Sequence, residues 1–89
     1  MQHYNIRIKG RVQGVGFRYT ARNMAKTLGI KGFVKNDYDG AVYIEAEGEE
    51  ENIRQFIRWC RKGPSSGRVT DINVEAGEYQ DFKSFSIRF

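Results

Sequence analysis

The chain has 89 residues, 39% hydrophobic and 29% charged, with 15 Lys and Arg against 11 Asp and Glu for a net charge of +4. That length sets the expectation of a single domain over residues 1–89, of a size that buries little more than half of its unfolded surface, and the composition is that of a globular protein rather than a disordered tail. No apolar run approaches the roughly 20 residues needed to cross a bilayer, residues 1–5 lack the basic start and apolar centre of a secretory leader, and Cys60, the only cysteine, leaves neither a disulfide framework nor a multi-thiolate metal site. The expectation is a cytoplasmic protein. Its positive balance favours anions, without deciding between a small phosphate compound and RNA.

Tyr4, Ile6 and Ile8 alternate with Asn5, Arg7 and Lys9, the period of a strand with one buried face. From Phe17 the period lengthens: Phe17, Ala21, Met24, Ala25 and Leu28 recur at helical spacing, and Gly29 supplies a stop. Residues 30–36 and 41–47 read as two strands joined by the turn formers Asp37-Tyr38-Asp39-Gly40, a hairpin. Glu49-Glu50-Glu51 opens a second helix with Ile53, Phe56, Ile57 and Cys60 on its apolar face, and Arg61-Lys62-Gly63-Pro64 closes it; acidic start and basic end both complement the helix dipole. After the polar loop Pro64-Ser65-Ser66-Gly67, Ile72, Val74 and Ala76 alternate, and Phe85, Ile87 and Phe89 form a last short strand. The order strand, helix, strand, strand, helix, strand is the ferredoxin-like βαββαβ pattern of the α+β class: two helices on one face of a mainly antiparallel sheet. Many functions use that architecture, so the site has to decide.

Between the first strand and the first helix stand Gly10, Gly14 and Gly16. Glycines there allow consecutive N–H groups to converge into an anion-binding nest, and a helix start adds donors and a favourable dipole. Neither Val15 nor Gly16 has a side-chain oxygen to cap those donors. Arg18, in the first turn, can reach back and hold two phosphate oxygens, as a lysine cannot. These residues alone balance evenly between such a nest and a plain tight turn with a solvated arginine. The loop matches neither the dinucleotide fingerprint, which needs glycine where Tyr19 stands, nor the Walker pattern. Asn36, ending Gly32-Phe33-Val34-Lys35-Asn36, has a donor and an acceptor with which to hold a water, although by itself it reads more simply as a turn asparagine.

The stretch Gly10-Arg11-Val12-Gln13-Gly14-Val15-Gly16-Phe17-Arg18 closely resembles the first signature of the acylphosphatase family, and Gly32-Phe33-Val34-Lys35-Asn36, continued by Gly40, Val42 and Gly48, resembles the second. The similarity extends over essentially the whole chain. It implies hydrolysis of the carboxyl–phosphate bond of acyl phosphates, with the loop from Val12 to Arg18 binding the phosphoryl group through Gln13, Gly14, Val15, Gly16, Phe17 and Arg18, and with Arg18 and Asn36 as the catalytic residues, Asn36 orienting the attacking water. Asp37 departs from the small hydroxyl residue common after this asparagine; strand alternation would turn its carboxylate away from the phosphate.

The chemistry fits so sparse a site. A mixed anhydride releases a carboxylate that needs no protonation, and phosphoryl transfer is largely positioning and charge stabilisation. No metal or cofactor is called for. His3, the only histidine, reads as a surface or strand-edge residue, Glu49-Glu50-Glu51 as a solvated helix start, Asp37 and Asp39 as turn chemistry, and Cys60 as a buried small hydrophobe. The expected partners are an acyl phosphate substrate and inorganic phosphate as product or inhibitor, with no nucleic acid and no membrane, in a monomer. One rival is an RNA-recognition module, but Lys31-Gly32-Phe33 follows its aromatic motif for three positions only. A second is a phosphometabolite sensor, or a stand-alone relative of the acylphosphatase-like domains in larger carbamoyl-transferring proteins.

Overall fold

The computed structural model describes residues 1–89. Its elements are β1 (Gln2–Arg11), α1 (Phe17–Thr27), β2 (Lys31–Asn36), β3 (Val42–Gly48), α2 (Glu50–Lys62), β4 (Arg68–Ala76) and β5 (Phe85–Arg88). The five strands form one sheet in the order β4-β1-β3-β2-β5. β1 runs antiparallel to β3 and β4, and β2 antiparallel to β3, whereas β5 lies parallel to β2 with Val34 opposite Ile87. This is the ferredoxin-like α+β fold, with one edge strand added beside β2.

Alternation along the strands sends Ile6, Ile8, Val34, Val42, Ile44 and Ala46 to one face, where Phe17, Ala21 and Ala25 of α1 and Ile53, Phe56 and Cys60 of α2 meet them in a single buried cluster. Full burial of the isoleucine, valine and phenylalanine side chains among them contributes roughly 1.5–3 kcal/mol each. Cys60 belongs to that cluster, and burial pushes its thiol well above the ordinary range, so it is inert. α2 begins with Glu50 and Glu51 and ends with Arg61 and Lys62, as its dipole favours.

The helix-free face is not simply wet. The 77–84 connection crosses it, placing Phe82 5.8 Å from the ring of Phe33 and 6.0 Å from that of His3. His3 therefore corrects the reading of a surface or edge residue: β1 is an interior strand, and His3 is 4% exposed with Nδ1 2.7 Å from Glu47 Oε2. Glu47, also buried, accepts the backbone N–H groups of Gln80 and Phe82. Burial alone would raise its carboxyl, but the hydrogen bonds from Gln80, His3 and Phe82 outweigh that and hold it below the ordinary carboxylate range.

Candidate active site

The loop from Val12 to Gly16 joins the end of β1 to α1, and the core fixes both its ends: Val12 is 1% exposed and Phe17 2%. Gly16 is the residue before the helix, in the left-handed conformation (φ 78°, ψ 15°), and Gly14 has φ 74°. Side-chain-bearing residues adopt this geometry at a cost of about 1–2 kcal/mol, which is why the sequence places glycine twice here. No side chain caps the helix. From Val12 through Tyr19 no backbone N–H donates to another atom of the chain; the first to do so is that of Thr20, to the Gly16 carbonyl at 3.1 Å. A run of unengaged donors thus opens at the positive end of the α1 dipole.

A cavity of about 200 Å³ is lined by Val12, Gly14, Gly16, Phe17, Arg18, Tyr19 and Asn36. The structure therefore brings the first-motif loop, Arg18 and Asn36 to one place, although Asn36 comes from the end of β2. Asn36 Oδ1 is buried there without a hydrogen-bond partner. Leaving such an acceptor unmet costs about 1–3 kcal/mol, so the site holds an acceptor lacking a donor beside donors lacking an acceptor. Arg18 lies with its guanidinium 4.9 Å from the ring of Phe89. A wider groove of about 370 Å³ between Lys9, Gly10, Asp39, Gly40 and Ala41 has no buried polar atom without a partner and carries no comparable signal.

Two residues of the loop differ in what they offer. Gln13 does not line the cavity with its side chain: Nε2 donates to the carbonyls of Asp37 and Ala41 at 2.7 and 2.9 Å. Val15 packs toward the core, and its carbonyl accepts the Ser66 hydroxyl at 2.8 Å, which ties the loop to the segment before β4. Neither side chain lines the cavity, so what the two residues leave unengaged there is the backbone N–H. Asp37 points to the helix-free face, 2.6 Å from Arg7 Nη1, with Lys35 at 3.7 Å. No group of three or more His, Cys, Asp or Glu side chains is arranged to hold a metal ion.

Sequence reasoning missed Tyr19 as a lining residue, and with it Arg22, which does not line the cavity but whose guanidinium stands 5.5 Å from the Tyr19 ring. The helical period was the available signal, since Tyr19 and Arg22 are three residues apart on the turn that follows Arg18.

A family model described as acylphosphatase matches residues 4–87. The acylphosphatase of Thermotoga petrophila is 45% identical over 89 residues, spanning 100% of this chain and 99% of that one. Among solved structures, the acylphosphatase from Bacillus subtilis matches with a TM-score of 0.97 at 40% identity, covering 100% of both chains. Full-length HypF in its phosphate- and nucleotide-bound form matches at 38% identity and a TM-score of 0.89 over 99% of this chain, which corresponds to 12% of that protein. These matches place the chain among the hydrolases that act on phosphorus-containing acid anhydrides. It belongs to the acylphosphatase family.

Proposed function

We propose that the chain hydrolyses acyl phosphates without a metal ion, with the 12–18 loop and Arg18 binding the phosphoryl group and Asn36 orienting the attacking water. The observation that carries this is the pairing of opposites in one cavity: the N–H groups of the loop find no acceptor in the chain, and the buried Oδ1 of Asn36 finds no donor. A bound phosphoryl group satisfies the first and a water molecule the second. The water donates one hydrogen bond to Asn36 Oδ1 and turns a lone pair toward phosphorus. Its oxygen forms the new P–O bond, the P–O bond to the acyl group breaks, the electron pair leaves on the carboxylate, and the water's proton passes to a phosphate oxygen. Backbone donors and the guanidinium stabilise the charge spread over the equatorial oxygens.

Because the carboxylate leaves unprotonated, the reaction asks for no general acid, which agrees with a cavity lined by no His, Asp or Glu. The reading extends to inorganic phosphate as product and competitive inhibitor, and to one catalytic unit over residues 1–89, acting as a cytoplasmic monomer. No helix is long and apolar enough to cross a membrane.

Hydrolysis of a synthetic acyl phosphate in the presence of EDTA tests the mechanism in wild type, Arg18→Gln and Asn36→Ala. Wild type turns over with EDTA present. Each variant loses roughly 10²- to 10³-fold in kcat, the range seen when one preorganised donor or positioning group is removed. Asn36→Ala still binds inorganic phosphate, whereas Arg18→Gln binds it poorly. Turnover abolished by EDTA and restored by a divalent ion, or an Asn36→Ala variant as fast as wild type, would rule the mechanism out.

A further inference from the structure

Gln13 stands inside the phosphate loop, yet its side chain is engaged with a different part of the chain. Both N–H groups of its amide are used, one on the carbonyl of Asp37 and one on that of Ala41. Those carbonyls bracket the turn between β2 and β3. Asp37 directly follows Asn36, and Ala41 directly precedes Val42, the residue paired with Asn36 across the ladder. These are the only hydrogen bonds between the 12–16 loop and the turn. Resting on the role of Asn36 proposed above, we infer that Gln13 is a positioning residue: its amide sets where Asn36, and the water it holds, sits relative to the bound phosphoryl group.

The turn does not depend on Gln13 for its own shape. The Asp37 N–H donates to the Ala41 carbonyl at 2.8 Å, the Gly40 N–H to the Asp37 carbonyl at 3.2 Å, and the Ala41 N–H to Asp39 Oδ1 at 3.0 Å. Arg7 Nη1 holds the Asp37 carboxylate at 2.6 Å. Without the Gln13 amide both carbonyls therefore keep a donor and the hairpin stays closed. What is lost is the tie across the site. A displacement of about 1 Å between nucleophile and reacting centre can cost up to roughly 10²-fold in rate. Phosphate affinity, in contrast, comes from the loop donors and Arg18, which lie on the near side of that tie. Val12 in the core and the bond from Ser66 to Val15 hold the loop independently.

This predicts a particular pattern in a double-mutant cycle on the full chain. Gln13→Leu, similar in size but without donors, lowers kcat roughly 10- to 100-fold, while the inhibition constant for inorganic phosphate moves by less than about threefold because the binding donors are untouched. In an Asn36→Ala background the same Gln13→Leu change lowers the residual kcat by less than about twofold, since two residues acting through one step are not additive. An equal loss in both backgrounds, or a phosphate constant that rises as far as kcat falls, overturns the inference and makes Gln13 a general prop of the loop. If that happens while Asn36→Ala itself is slow, the water-orienting role of Asn36 stands and only the role of Gln13 fails. An Asn36→Ala as fast as wild type overturns both. Gln13→Glu gives a second readout should the leucine variant melt early: its carboxylate opposes the two carbonyls, and its protonated form recovers one donor. Its kcat relative to wild type rises as the pH is lowered, and a flat ratio counts against the positioning role.

Discussion

Asp37 directly follows Asn36 in the chain, and the question it poses is electrostatic. A carboxylate facing the phosphate site would repel a dianion; one turned away leaves the substrate untouched. Alternation along β2 puts Lys35 and Asp37 on the helix-free face, and the Asp37 side chain, 16% exposed, pairs there with Arg7. Arg7 is 40% exposed, so the pair contributes at most about 1 kcal/mol to stability. Asp37→Asn is accordingly expected to leave kcat/KM and phosphate inhibition within about threefold of wild type and to lower the urea midpoint by the equivalent of about 1 kcal/mol or less. Phosphate binding tightened tenfold in the asparagine variant would show that the carboxylate reaches the site after all. Legibility at this scale was uneven, for physical reasons. The alternation that turns Asp37 outward is local and can be read along the chain. The unmet Oδ1 of Asn36 cannot, because a missing partner is a property of everything packed around the amide. The partners of Gln13, 24 and 28 residues away, are equally invisible to local pattern.

At the scale of elements, β4 shows how a regular period can hide part of a strand. Its alternation is plain from Ile72 to Ala76, but the strand begins at Arg68. The register against β1 slips between Lys9 and Gly10, so that Asp71 faces Lys9 while Val69 faces Gly10, and Thr70 is the extra residue. Two successive exposed residues, Thr70 and Asp71, break the period-2 signal at the bulge. The 77–84 connection carries no period at all, and what fastens it is Glu47. Beside His3, and facing the backbone N–H groups of Gln80 and Phe82, this carboxylate anchors the crossing segment to β3; Glu45 is the other acid near His3, 3.3 Å from its Nε2. Its carboxyl is held below the ordinary value of 4.5. A depressed carboxyl contributes stability that is complete above its unfolded value and is lost as the pH falls through the folded one. Glu47→Gln should therefore be less stable than wild type by roughly 2–4 kcal/mol at neutral pH, because an NH₂ group replaces an acceptor opposite a buried donor. The gap should close as the pH drops below about 4.5, where the unfolded glutamate takes up a proton. Denaturant melts of both proteins from neutral pH to about pH 3 measure it, and a constant gap across that range would mean that Glu47 is held by packing rather than by charge.

For the whole molecule the relevant quantity is the net charge of +4, and the relevant length is its size, 30 × 22 × 20 Å. At about 10 mM salt the screening length is near 30 Å, as long as the protein, so every charge acts on an approaching acyl phosphate. At about 0.15 M it shrinks to roughly 8 Å, and only groups close to the site remain effective. Composition announces the sign of this field but not its arrangement. The fold supplies that: Arg18 lines the cavity and the Arg22 guanidinium stands 5.5 Å from the ring of Tyr19, which lines it too, while the carboxylates of Asp37 and Asp39 lie 2.6 and 3.5 Å from Arg7. Capture of the substrate and inhibition by phosphate should then weaken together with salt, whereas the chemical step, enclosed by fixed donors, should not. Between about 10 and 300 mM salt we expect kcat/KM to fall roughly three- to tenfold, the phosphate inhibition constant to rise by a similar factor, and kcat to stay within about twofold. Arg22→Gln should flatten the salt dependence of kcat/KM and leave kcat at high salt within about twofold of wild type, because Arg22 is not among the residues that line the cavity. A kcat that fell in step with kcat/KM would place the salt-sensitive interaction in the transition state itself, at Arg18 and the loop, and not in the approach to them.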